Sequence, residues 1–153
     1  MTFINYPNLE IYHLAHQFVL ETYKLVQLFP SFEDNNLTSQ LRRAATCLPL
    51  NIAEGSGARS NKIFLNYCIF CYRSCLETQA ALALARDLNY ITKEQHDSHA
   101  AKLDTFIRKL YKYMQYLEGT IGNRKEDKTM WYRHEKWKME QNLQTREGMG
   151  KLC

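Results

Sequence analysis

Three cysteines crowd one short segment, "CIFCYRSC" from Cys68 to Cys75, and the Cys68-x-x-Cys71-x-x-x-Cys75 spacing raises the prospect of a metal site. Structural zinc sites draw two Cys/His pairs from turns or short loops. Only Cys47 and Cys153 remain, widely separated, so no second pair exists and small core thiols are the expectation. Five cysteines with no secretion signal also argue against a disulfide framework. "EIYH", Glu10 to His13, has the Glu-x-x-His spacing used by di-iron bundles, which need two such motifs and a glutamate from each of two more helices. The later "EQH" and "DSH", at His96 and His99, have the wrong spacing. Neither a metal nor another cofactor is expected.

Nucleophilic catalysis has less support still. Ser39, Ser56, Ser60 and Ser74 lack a nucleophile-elbow context, and no histidine has an evident carboxylate to orient it. The reading is non-enzymatic, which leaves binding. Arg42, Arg43, Arg59, Lys62 and Arg73, with Lys109 and Lys112, are candidates to neutralise phosphates, while Trp131 and Trp137 are candidates to stack on unpaired bases. Bundle surfaces are normally charged, however, and some of these arginines can instead pair with Glu54 or Glu77.

The formal charge of +4 is unevenly spread. Residues 1–118 hold 12 Lys/Arg against 11 Asp/Glu, and residues 119–153 hold 8 against 5. Mild basicity of this kind permits nucleic-acid binding without requiring it. No run of about 18 uncharged apolar residues occurs, and "MTFINYPNLE" resembles no signal peptide, so a cytoplasmic protein is expected.

Helical periodicity supplies the elements that must carry these residues. A first helix, about Asn8 to Phe29, places Ile11, Leu14, Phe18, Leu25 and Leu28 on one stripe and ends at Pro30. The second repeats Leu37, Leu41, Ala44, Leu48 and Ile52 at three- and four-residue spacing, with Gly55 suited to a C′ position of positive φ. Ser60 N-caps a third helix from about Asn61 to Leu88, and "TKEQ", Thr92 to Gln95, is a capping box opening the fourth.

The third helix carries two apolar stripes, Phe64, Cys68, Cys71, Cys75 and Leu82 beside Leu65, Ile69, Tyr72, Leu76 and Ala83; that width suggests packing against another subunit as well as within the bundle. In the fourth, Leu103, Phe106, Ile107, Leu110, Met114 and Leu117 form one stripe. Short connections make the whole an all-α, up-and-down antiparallel four-helix bundle over residues 1–118. Residues 119–153 are a basic, Trp-containing polar and aromatic tail, either disordered or a helix ordered by a partner.

The least regular chemistry lies in "LPLNIAEGSGARS". Pro49 removes a backbone donor, which frees the Ala45 carbonyl and bends the second helix. Asn51 and Glu54 share a face from which to bond freed groups or a neighbouring helix. With Gly55 they read as a structural motif shaping the bundle end and a subunit contact.

The longer string "LTSQLRRAATCLPLNIAEGSGARS", with its Arg-Arg-Ala, Pro-x-Asn-Ile-Ala-Glu-Gly and Arg-x-Ser combination, resembles the signature region of the 23S rRNA intervening-sequence (S23) family of bacterial four-helix-bundle proteins. The resemblance spans roughly residues 8 to 117. It implies a ring-like homopentamer without enzymatic activity, some members being encoded within insertions in 23S rRNA genes; beside it, the basic surface and aromatic tail give the leading reading, an oligomeric scaffold that binds structured nucleic acid, RNA first. Related bundles serve as accessory proteins of diversity-generating retroelements, docking on a reverse transcriptase and its template RNA, which is the second reading. The long tail departs from the family's usual short ending and leaves specialised partner binding open.

Overall fold

The structure, a computed structural model, describes residues 5–121 together with 140 and 141. The chain divides into two units, Met1–Thr120 and Ile121–Cys153. The first holds four helices: α1 (Glu10–Leu25), α2 (Leu37–Ser56), α3 (Asn61–Asp87) and α4 (Lys93–Thr120), with single 3-10 turns at Tyr6–Asn8, Val26–Leu28 and Ser31–Glu33. Among the described residues there is no strand. The unit is an antiparallel up-and-down four-helix bundle, as the periodicity predicts.

Direction and register are readable from cross-helix contacts. The Cys71 thiol donates to the Leu48 carbonyl at 3.4 Å, and Arg43 meets Glu77, so α2 and α3 run opposite ways. Glu10 with Lys109 and Glu21 with Lys102 set α1 against α4 in the same sense. The predicted ridge of α2 is buried in full, and so is the α4 stripe. Burying such side chains is worth about 1.5–3 kcal/mol each, so these two ridges contribute a large share of the cohesion of the bundle.

Three local readings differ. The stripe of α1 runs through Ile11, Ala15, Phe18, Thr22 and Leu25, whereas Leu14 is half-buried and Leu28 is exposed. Small Ala15 and Thr22 fit the interior because Thr22 turns its hydroxyl onto the Phe18 carbonyl at 2.8 Å, which removes the cost of burying it. Gly55 does not occupy a positive-φ C′ position. It lies buried inside α2, which continues to Ser56, and a Cβ there would collide with the Phe64 ring and come within 2.8 Å of the Tyr67 Cβ. Glycine is required by close helix approach and not by a turn.

The third concerns Pro49, which sits inside α2 without interrupting it. Side-chain donors do reach this segment, but they serve the carbonyls of Cys47, from Asn51 Nδ2 at 2.7 Å, and Leu48, from Cys71, instead of that of Ala45.

The helix ends follow their caps. The Ile63 amide donates to Ser60 Oγ at 3.3 Å. The Thr92 amide donates to Gln95 Oε1 at 2.8 Å and the Gln95 amide donates to Thr92 Oγ1 at 3.2 Å, completing the capping box. Asn89, at φ 59°, closes α3 in a Schellman arrangement: the Tyr90 amide reaches the Ala85 carbonyl at 2.8 Å and the Asn89 amide the Arg86 carbonyl at 2.9 Å.

Candidate nucleic-acid interface

The basic residues singled out from the sequence belong to several different seams of the bundle. Arg42 turns from α2 toward α1, its guanidinium 5.9 Å from the centroid of the Tyr23 ring, a cation–π distance. Arg43, the next residue, projects to the other side of α2, donating to Gln40 Oε1 at 2.6 Å and lying 3.7 Å from Glu77 of α3. That pair is well exposed, so it contributes at most a fraction of a kcal/mol to about 1 kcal/mol and remains exchangeable for an external partner. Lys109 is engaged with Glu10 across the α1–α4 seam at 2.9 Å.

Arg59 is exposed in the α2–α3 connection, Lys62 in the first turn of α3, Arg73 mid-way along α3 and Lys112 on α4. The structure thus brings Arg59 and Lys62 to one end of the bundle and distributes the rest over its sides. They do not converge on a single patch. Trp131 and Trp137 lie outside the described residues.

The motif residues divide by depth. Pro49 and Gly55 are buried, Asn51 is half-buried, and Glu54 is exposed, with no side-chain partner among the described residues. The Glu54 side chain is thus open to solvent, while its carbonyl accepts from the Gly57 amide at 3.2 Å. Glu54 shares the outward face of α2 with Arg43 and Leu50, at helical spacing.

That face continues onto α3. Both stripes expected to reach another subunit are largely consumed inside the bundle, because α3 packs against α2 on one flank and α4 on the other. A third set, Ile63, Phe70, Leu84 and Leu88, is left between 42% and 54% exposed. Ile63, Phe70, Glu77 and Leu84 recur every seven residues, so they form one row along the helix, with Leu50 of α2 exposed to 57% nearby in sequence register. An open groove of about 410 Å³ lies along this region, lined by Leu37, Arg43, Glu77, Ala81, Leu84 and Leu88 among others. Sequence reasoning missed the row because apolar residues on three sides of α3 interleave with its exposed charges, Lys62, Arg73 and Glu77, and leave no clean polar face by which to orient it. The seven-residue recurrence was the available signal.

The cysteines are settled by burial. Cys68, Cys71 and Cys75 are fully inside, and loss of solvation pushes the Cys68 thiol up to about 12 and holds that of Cys71 well above its ordinary value. Neither is a thiolate at neutral pH, so neither is a nucleophile. Among the described residues no three His, Cys, Asp or Glu side chains are grouped as metal ligands, and no helix is long and apolar enough to cross a membrane.

A comparison with curated proteins returns no match. The profile of the family described as 23S rRNA-intervening sequence protein matches residues 7–112, from the turn before α1 to well along α4, and the chain belongs to that family.

Proposed function

We propose that this chain is a non-enzymatic helical scaffold that assembles with copies of itself in the cytoplasm and binds structured RNA through exposed basic side chains. The observation that carries the reading is membership of a family whose name ties it to 23S rRNA intervening sequences. Exposed Arg59, Arg73 and Lys112 and the exchangeable Arg43 supply the phosphate-neutralising chemistry such a ligand needs. The apolar row on α3 supplies a surface for another copy, and the homopentamer implied by the S23 resemblance is the expected assembly. Trp131 and Trp137 belong to this proposal as base-stacking residues on the strength of the sequence alone.

A second reading, an accessory subunit docking on a reverse transcriptase of a diversity-generating retroelement, draws on the same row. Aliphatic and aromatic side chains at helical spacing suit a protein partner better than a phosphate backbone. Binding of the intact chain to a structured RNA and to matched duplex DNA, measured across a salt series, separates the two. Phosphate engagement gives log affinity falling linearly with log salt. No RNA binding above background at low salt would sink the scaffold reading and leave the docking one.

A further inference from the structure

The outer side of α1 carries a second unpartnered surface of different chemistry. Tyr12, His16, Leu20 and Tyr23 follow one another at three- or four-residue spacing, hence on one face. Tyr6, from the preceding turn, extends the row: its ring meets that of Tyr12 edge-on with centroids 4.7 Å apart, and Tyr12 lies 6.0 Å from His16 at a 31° tilt. Tyr6 is 38% and Tyr23 44% exposed, and Arg42 of α2 closes the far end over the Tyr23 ring. Tyr12 to Tyr23 spans about 16 Å at the helical rise.

The charges around this strip are sorted by the bundle. The only carboxylates of α1, Glu10 and Glu21, are drawn toward α4, where Lys109 and Lys102 neutralise them. The cations left on the outer side are Arg42 and Lys24, both without a carboxylate partner among the described residues. The His16 imidazole makes no hydrogen bond within the described residues. A protein helix seated here would want aliphatic anchors, and the strip offers only Leu20. Flat rings with polar edges, ending at a guanidinium, match bases and a phosphate.

Resting on the RNA reading above, we propose that this strip is a stacking platform for unpaired bases of single-stranded RNA, with Tyr12 and Tyr23 taking base faces and Arg42 a phosphate. It is separate from the α3 row, so one bundle carries an RNA strip and a protein-facing row on different helices.

The test uses the full chain with two fluorescent probes, a short unstructured oligoadenylate RNA and a blunt RNA duplex of the same length, followed by anisotropy. Tyr12→Leu combined with Tyr23→Leu should weaken oligoadenylate binding by about tenfold or more, since each stacked base contributes substantially. Duplex affinity and melting temperature should stay at the parental values, and the Tyr12→Phe, Tyr23→Phe pair should retain oligoadenylate binding. Oligoadenylate affinity unchanged by the leucine pair overturns the platform, leaving the strip as a protein contact. Equal losses for both probes, or a parent that binds the duplex alone, also overturn it while sparing the RNA reading. A parent that binds neither probe removes both.

Discussion

At the scale of single residues, the hydroxyl of Thr38 shows how position decides whether a buried polar group is satisfied. Thr22, Thr46, Thr78 and Thr105 each return a hydroxyl proton to the carbonyl four residues earlier, at 2.8–3.0 Å. Thr38 sits in the first turn of α2, where the residue four positions back lies outside the helix, and its fully buried Oγ1 has no partner among the described residues. Thr38→Val keeps the shape and removes the orphan, so thermal unfolding should report a gain of about 1 kcal/mol. Gly55 gives the opposite sign. Alanine is the better helix former by about 1 kcal/mol, but its methyl would have to enter space held by the Phe64 ring and the Tyr67 Cβ. The Tyr67 Cβ is fixed to the backbone of α3 and cannot swing away, so overpacking of about 1–3 kcal/mol prevails. Gly55→Ala should lower the melting temperature by several degrees, and an unchanged value would mean that the helices part freely there.

At the scale of elements, α2 begins on a cap that no local pattern announces. Asn36, just before the helix, uses its side chain differently: Glu33 Oε2 accepts from the Leu37 amide and from Asn36 Nδ2, both at 3.0 Å, while the Tyr90 hydroxyl donates to Glu33 Oε1 at 2.9 Å. One buried carboxylate thus caps the start of α2 and fastens the α3–α4 connection to it. The Leu37 amide is the largest influence on its acidity; burial opposes, Tyr90 and Asn36 assist, and the net effect lowers the carboxyl below its ordinary 4.5. A depressed carboxyl stabilises the fold above its unfolded value and loses that contribution as pH falls through the folded one. Glu33→Gln should therefore melt below the parent at neutral pH, with the gap narrowing as pH drops beneath 4.5. Parallel melting curves at neutral and acid pH would rule this cap out.

At the scale of the whole molecule, the exposed row on α3 sets sequence against solvation, since a monomer gains nothing by leaving Phe70, Leu84 and Leu88 half in water. Phe70→Glu together with Leu84→Glu should reduce the native mass seen by light scattering to that of one chain, with helicity unchanged by circular dichroism. A parent already monomeric, or a double variant that keeps its assembly, would place any self-contact elsewhere.

The sequence by itself determined the helices, because the α2 and α4 stripes, the Ser60 cap and the Thr92–Gln95 box are local codes written within a few turns of chain. It also pointed to Cys68, Cys71 and Cys75 as core thiols, because their three- and four-residue spacing sets them on the apolar side of one helix. Tertiary structure alone decided which apolar face of α3 faces water, why Gly55 must be glycine, and what holds the Glu33 cap of α2 in place from outside its own turn. Each depends on an atom from another helix or a residue far along the chain: Tyr90 is 57 residues from Glu33. Tertiary structure likewise separated Arg42 from Arg43, adjacent in sequence yet turned to opposite flanks, because a 100° step per residue sends neighbours to different seams and only the packed bundle says what each seam holds.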